Sequence, residues 1–576
     1  MKKLYVLLVF SLSIITFNSA ALTNVSGFIN ANTTWDLSGS PYIVTGNALL
    51  SHGYTLTINP GVVIKFDSAK ALQIDGTLIA IGTPQSRITF TSNKAIPQAG
   101  DWASIHFADT CIDAAFDVQG NYLSGCIMKY CDVLYGGGLG NGEVYIESSN
   151  PYFTNCRIMN SGAAGIYSDG SAYIFDSSSV KNCVGYGMNI NGYDEFSCDF
   201  NIENDSIESN ANGGISLTSK YISPLGCTNM IIKIANNYFS SNTGLGAINN
   251  LGMYGYASII ISNNYFIHNS GRAVIGNSDS DPLLNYTIKC NKFINNNCFQ
   301  GCIENIEGDG PGKIINNTFT NNTGNSISVV NLGLGYDPYQ VYFEGNYISN
   351  NTSQSGSCCL FIAYNINPNS FLSIGSNQFI NNSGTNIVEI GVEPQTIGTY
   401  NFVEMKNNNF TDPGQIELYN NIPYGSPNIY ADSNYWGGTS TQHIDSAIYD
   451  YFDYANQSVV YYLPILNMPV EIDTVCSASV LNAIPILRQE STSIIIYPNP
   501  VTKANPSTTI SFSEQQKNTT ITITDILGKL IYTATAKETA SINITLDNPP
   551  GMYFVKVITE SADKPTTTKV FKLIKE

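Results

Sequence analysis

The sequence predicts an all-β protein: a parallel β-helix followed by a small immunoglobulin-like β-sandwich. Three observations carry this. The phrase "NNYFSSN" at Asn236 returns as "NNYFIHN" at Asn263, and its Asn-x-Phe core recurs at Asn291, Asn317, Asn377 and Asn408. With Ile348 after Asn346 and Trp436 after Asn434 as variants, the intervals from Asn237 are 27, 27, 26, 29, 31, 31 and 26 residues. Short β-branched runs such as "SIIISNN" and "YTIKCN" precede each Asn, and period-two alternation over so few residues argues strand. After Leu487 the repeat stops and alternating strands with turn signals take over.

The elements follow in chain order. Residues 1–20, with Lys2, Lys3, an apolar run and Ser19-Ala20, read as a cleaved secretory signal. No later apolar run approaches membrane-spanning length, so no transmembrane segment is expected after cleavage. Residues 22–53, including Trp35, are expected to cap the helix, because an open end would offer strand edges for aggregation. The coils occupy residues 54–465. Each repeat announces two bends about five residues apart, where Asn and Gly tolerate left-handed backbone cheaply. Like positions then stack about 4.8 Å apart, with Phe in an interior column and Asn amides in a ladder at the corner. Residues 466–493, with Pro469 and Pro485, form a linker, and residues 494–576 the sandwich.

Composition narrows the function. Charged residues make up 12% of the chain, against about 25% in ordinary globular proteins, and a net charge of −18 with no Lys/Arg cluster disfavours nucleic acid. Thirteen cysteines permit disulfides in an exported chain, and the odd number leaves at least one free. Cys131 and Cys156 are expected to stack inward as packing residues. Of the adjacent Cys358 and Cys359, only one can face inward if both lie in a strand. No paired CxxC exists and His52, His106, His268 and His443 are scattered, which disfavours zinc.

Two stretches carry family resemblances. "YTLTINPGVVIKFDSAKALQIDGTLIAIGT" from Tyr54, then "RITFTS" and "GDWASIHF", resembles the opening turns of right-handed parallel β-helix proteins of the pectin-lyase-like superfamily, and "NYWGG" from Asn434 resembles their closing turn. Tyr497-Pro-Asn-Pro500, Asp525-Ile-Leu-Gly528-Lys529, Gly551-Met-Tyr553 and Lys572-Leu-Ile-Lys575 resemble the C-terminal sorting domain of type IX secretion cargo. That second resemblance implies export across both membranes, with the secretion machinery as partner of residues 494–576, and a secreted or outer-surface location.

Uronate-cleaving relatives imply carboxylates on neighbouring coils for calcium plus an Arg or Lys base. Asp279 and Asp281 lie 15 and 17 residues after Asn264, and Glu307 and Asp309 lie 16 and 18 after Asn291, offsets that place the four on adjacent coils at one edge, where they can share a calcium ion. Lys313 and Arg272 are then the candidate proton acceptor and uronate clamp. The competing reading is turn chemistry, since Asp-Pro and Asp-Gly-Pro are turn phrases. Adjacent Asp-Asp, Gly-His-Gly, GxSxG, HExxH and a P-loop are missing. The 36 tyrosines offer surfaces for sugar rings, or fill strand positions that favour them. The resulting expectation is a secreted or cell-surface β-helix that binds polysaccharide or cell-surface glycan, or is adhesive. The alternatives are a polysaccharide lyase or hydrolase acting on acidic polysaccharide, and a structural surface protein.

Overall fold

The computed structural model describes residues 22–575, except 172–173, 193–198, 220–229, 254–256, 277–284, 305–310, 335–339, 365–370, 393–401, 425–427, 472–475, 477–493, 498–506, 526–528, 547 and 561–566. The expected signal segment therefore lies outside the described residues. Two units emerge, residues 1–484 and 485–576.

In the first unit the repeating coil lays one strand on each of three faces. The coil beginning at Ala257 runs Ala257–Ser262 on the first face, Tyr265–Ile267 on the second and Ile275–Gly276 on the third, with a short Ser270–Gly271 strand between the last two. Each strand pairs in parallel with its counterpart one coil on: Ile261 with Ile288, Phe266 with Phe293, Ile275 with Ile303. First-face strands form one 16-stranded sheet from Thr33–Trp35 to Val460–Tyr461. The second and third faces join in a larger sheet because Tyr42–Leu50 runs through both, pairing with Ile64–Phe66 and then with Leu72–Ile74. Residues 23–50 thus stack as the opening coil, with Trp35 buried against Tyr42 at 4.9 Å.

The repeated phrase divides its labour residue by residue. Asn263 (φ 57°) and His268 (φ 56°) turn the chain through left-handed corners. Tyr265 and Ile267 point outward, while Phe266 is fully buried. The phenylalanines form the expected column: Phe239, Phe266, Phe293 and Phe319 stack with centroids 4.9, 4.8 and 4.6 Å apart. Ile348 interrupts the column, which resumes with Phe379, Phe410 and Trp436. Each buried ring contributes about 1.5–3 kcal/mol, with roughly 0.5–1.5 kcal/mol more from ring contact.

The residue after each left-handed corner is the ladder rung. Asn264 donates its backbone N–H and its Nδ2 to Asn291 Oδ1 (2.9 and 3.0 Å), and its Nδ2 also reaches Ile234 O (2.9 Å). The same pattern runs unbroken from Asn237 to Asn434. A second ladder, which the Asn-x-Phe motif did not announce, joins Asn210, Asn242, Asn269, Asn296, Asn322, Asn351 and Asn382 at the far side of the Phe column. Nearly every buried amide atom thereby finds a partner, as burial requires.

Both ladders admit substitutes at their ends. Cys156 N–H donates to Ser178 Oγ, Ser178 N–H to Asp205 Oδ1, and Asp205 N–H to Asn237 Oδ1. Asp205 is fully buried, and desolvation pushes its carboxyl well above the usual carboxylate range. Protonated, it offers one O–H donor beside its acceptor oxygen, one donor fewer than the amide it replaces.

Beyond the last coil, helix Thr441–Ala447 is N-capped by Ser440. The chain then doubles back along the corner between the first and second faces. Pro464 O accepts from Ser433 N–H, Val470 exchanges two bonds with Asn409, and Cys476 forms a disulfide with Cys290. Part of the expected linker is therefore a strap on the helix. Nine other described cysteines are free and buried, Cys131 and Cys156 among them. Both Cys358 and Cys359 are buried, contrary to the alternation expectation, because they precede the strand Leu360–Tyr364 and sit at the corner, where Cys358 Sγ donates to Asn351 O.

The second unit has five described strands, paired antiparallel in one sheet. "TTISFSE" and "TTITITD" are one strand, Ser507–Asp525, and "KLIYTATA" and "SINIT" another, Leu530–Thr545. No Gly or Pro separates either pair, so each chain continues through a register shift between Ser511 and Gln516. Ile521, Ile523, Val555, Val557 and Leu573 form its core.

Candidate functional site

On the third face, side chains alternate between the core and the outside, so register alone builds outward columns. Gln73 pairs with His106, His106 with Tyr145, Tyr145 with Tyr167, Tyr167 with Asn189, and Asn189 with Ser216. Two residues further along the strands, a parallel column holds Glu147, Asp169, Asn191 and Thr218. Inward neighbours Ile105, Val144, Ile146, Ile166 and Met188 are fully buried and fix the strands beneath.

The two columns are knitted together. The His106 ring stacks on Tyr145 (4.4 Å between centroids, 13° between planes), and its Nε2 lies 3.0 Å from Glu147 Oε2. Tyr145 meets Tyr167 at 60°, so these rings do not cover each other face to face. Asn191 Nδ2 donates to Tyr167 OH (2.9 Å) and Thr218 Oγ1 donates to Asn191 Oδ1 (2.5 Å). Burial, together with Glu147, Asp169 and Tyr167, pushes the Tyr145 phenol up to about 12, which keeps it a neutral donor. The result is a flat, half-buried strip of hydroxyl, amide and carboxylate groups with aromatic surface among them. Among its described residues there is no lysine or arginine.

The residues singled out from sequence are placed elsewhere. Arg272 is held by Glu304 through two bonds (2.8 and 2.9 Å), and that buried carboxylate, 3% exposed, raises the guanidinium's pKa. Lys313 points outward from the first face, between Thr287 and Tyr342. The two cations thus stand on different faces. Asp279, Asp281, Glu307 and Asp309 all lie outside the described residues. Among the described residues no group of three or more His, Cys, Asp or Glu side chains is arranged to hold a metal.

The third-face strip carries no repeated phrase, which is why motif reading passed over it. Its signal was numerical: Tyr145, Tyr167 and Asn189 fall 22 residues apart, as do Glu147, Asp169 and Asn191. A cavity of about 600 Å³ at the last coils is lined by Asp412, Glu417, Trp436 and His443. There Asp412 ends the second ladder by accepting from Asn382 Nδ2, and its N–H donates to Glu417 Oε1 (3.0 Å). Desolvation pushes the Asp412 carboxyl up to about 6, and Glu417 is raised further by burial and by Asp412. Both carboxyls are buried, Asp412 3% and Glu417 4% exposed.

Two regions of the chain match known domain families. Residues 27–138 match a family described as "Pectate-lyase like beta helix domain", and residues 495–574 match "Secretion system C-terminal sorting domain". Over 57 residues the chain is 47% identical to Protein bark beetle of Drosophila melanogaster, a segment that covers 10% of this chain and 2% of that protein. The Siphovirus 9NA tailspike receptor binding domain aligns over 95% of this chain and 98% of its own, at 9% identity and a TM-score of 0.28. The chain carries a pectate-lyase-like β-helix domain and a C-terminal secretion sorting domain, and is exported by type IX secretion to the cell surface or extracellular space.

Proposed function

We propose that the exported β-helix is a glycan-binding, adhesive protein and that its third-face strip is the binding surface. The observation that carries this reading is the outward column Gln73–His106–Tyr145–Tyr167–Asn189, one residue per coil, flanked by Glu147, Asp169 and Asn191. Sugar hydroxyls are bidentate partners for carboxylates and amides, while their C–H faces pack on aromatic surface. A strip that alternates these groups along a rigid sheet meets both demands without rearrangement, which lowers the cost of binding.

Immobilised oligosaccharides probed with the full chain test the reading. Tyr167→Ala and Tyr145→Ala each lose at least about tenfold in affinity if the strip is the site, the loss of a contact worth about 1.4 kcal/mol. Undiminished binding by both variants removes the strip from consideration.

A further inference from the structure

We infer that Cys111 and Cys126, free in this structure, are an oxidation site: in the exported protein they join as a disulfide that closes the loop of residues 112–125. The inference is independent of the reading of the third-face strip.

Backbone geometry brings the two together. The chain leaves the third face after Ile105–Phe107, makes an excursion that carries the antiparallel pair Ala115–Phe116 and Tyr122–Ser124, and returns to the first face at Ile127–Lys129. Cys111 and Cys126 stand at the two ends of that excursion. Cys126 N–H donates to Ile112 O (2.8 Å), so the two segments lie side by side. Ile112 N–H and the Cys126 thiol both donate to Gly76 O (3.2 and 3.5 Å), which sets the Cys126 sulfur beside the backbone that carries Cys111. The two thiols hydrogen-bond each other within one core cluster. Directly bonded backbones of this kind fall within the span of about 4.4–6.8 Å between α-carbons that a disulfide bridges.

Chemistry and access single out this pair. The Cys126 sulfur accepts from the Cys111 thiol and from Leu78 N–H (3.3 Å), which holds its pKa below that of an ordinary thiol in spite of burial. Cys111 lies at the margin of the core, 6% exposed, where its N–H closes a turn onto Ala108 O (3.0 Å). Cys131 and Cys156, the stacked pair in the neighbouring coils, are 0% and 1% exposed, and their thiols donate to Ala80 O (3.4 Å) and Met128 O (3.2 Å) of the preceding coil. They are sealed where Cys111 is not. Export takes the chain out of the reducing cytosol, and Cys290 is already joined to Cys476.

The oxidant is a small-molecule disulfide such as oxidised glutathione. The Cys111 sulfur attacks one of its sulfurs, breaking that S–S bond and releasing a first glutathione thiol. The Cys126 thiolate then attacks the Cys111 sulfur of the mixed disulfide and releases the second. The two protein thiols thus give up two electrons, and their two protons leave on the two glutathione thiols.

Mass spectrometry of the full chain tests this. The protein, with Cys290–Cys476 intact, is incubated with excess oxidised glutathione, unfolded, alkylated with iodoacetamide and digested with trypsin without reduction. One tryptic peptide, residues 95–129, holds both Cys111 and Cys126, and the next, residues 130–157, holds Cys131 and Cys156. The expected result is that most of the 95–129 peptide loses two hydrogens and takes no label, and takes two labels when reduction precedes alkylation, while the 130–157 peptide stays doubly labelled throughout. Chymotryptic nicking within residues 112–125 should then leave the two fragments joined on a non-reducing denaturing gel and parted on a reducing one. A 95–129 peptide that still takes two labels after oxidation overturns the inference, as does one that stops at a single bound glutathione, because the sulfurs would then stand too far apart to exchange. Oxidation of the 130–157 pair ahead of the 95–129 pair overturns it equally.

Discussion

Replacing Asn291 with Ala tests the ladder at its middle. The side chain makes four buried bonds: Oδ1 accepts from Asn264 N and Nδ2, and Nδ2 donates to Ile261 O and Asn317 Oδ1. Two of the partners keep another bond, since Asn264 Nδ2 retains Ile234 O and Asn317 Oδ1 still accepts from the residue 291 backbone. Asn264 N–H and Ile261 C=O lose the rung that served them. At about 1–3 kcal/mol for each orphaned buried group, the substitution should cost about 2–6 kcal/mol. Because a solenoid's stability is largely a sum of neighbouring interfaces, the loss should concentrate in the adjoining coils. Amide hydrogen exchange reads this directly: protection at Asn264 and along Ile259–Ile261 should fall while the strands near Leu56 and Leu78 keep theirs. A uniform change, or a cost below about 1 kcal/mol in denaturant melts, would show that the ladder is a passive consequence of coil stacking.

Three further outcomes are expected. Phe293→Ala should destabilise by about 3–5 kcal/mol, measured by chemical denaturation, since Phe293 is fully buried between two stacked rings. Asp205 has a raised folded-state pKa, so its contribution is complete below the unfolded value near 3.8 and is lost as pH rises towards the folded one. Asp205→Asn should therefore gain stability over the parent as pH is raised from 4 to 8, and identical pH profiles for the two proteins would refute the protonated rung. Cys476→Ser opens a covalent loop with a sequence separation of 186, worth about 5 kcal/mol in the chain-entropy account, and should lower the thermal midpoint under non-reducing conditions. If alkylation of the native oxidised protein labels Cys290 and Cys476 freely, the strap is not covalently held.

Much of the helix was legible because its constraints repeat. A corner must accept left-handed backbone, the next residue must satisfy buried polar groups, and the third must fill the interior, so "NNYF" recurs wherever all three demands coincide. The second ladder was harder to read because its αL partner varies, from Ser241 to His268 to Asn295, which hides the Asn that follows. Outward columns such as His106–Tyr145–Tyr167 answer to no packing rule and therefore leave no phrase, only an interval. The strap was illegible for a different reason: nothing local to Cys476 distinguishes its pairing with Cys290 from any other. In the C-terminal module the strands were recognised, but a register shift inside one strand resembles a turn when read as sequence alone.

The polarity of the asparagine rungs has a consequence for how such a protein changes size. Each rung's Oδ1 receives from the coil before it, its backbone N–H gives to the coil after it, and its Nδ2 serves both, so removing or duplicating one complete turn leaves two identical half-contacts to rejoin. A fractional turn would set donor against donor or bury a corner in the interior. Variation in the reach of this molecule should therefore come in whole steps, a ruler whose smallest division is one circuit of the backbone.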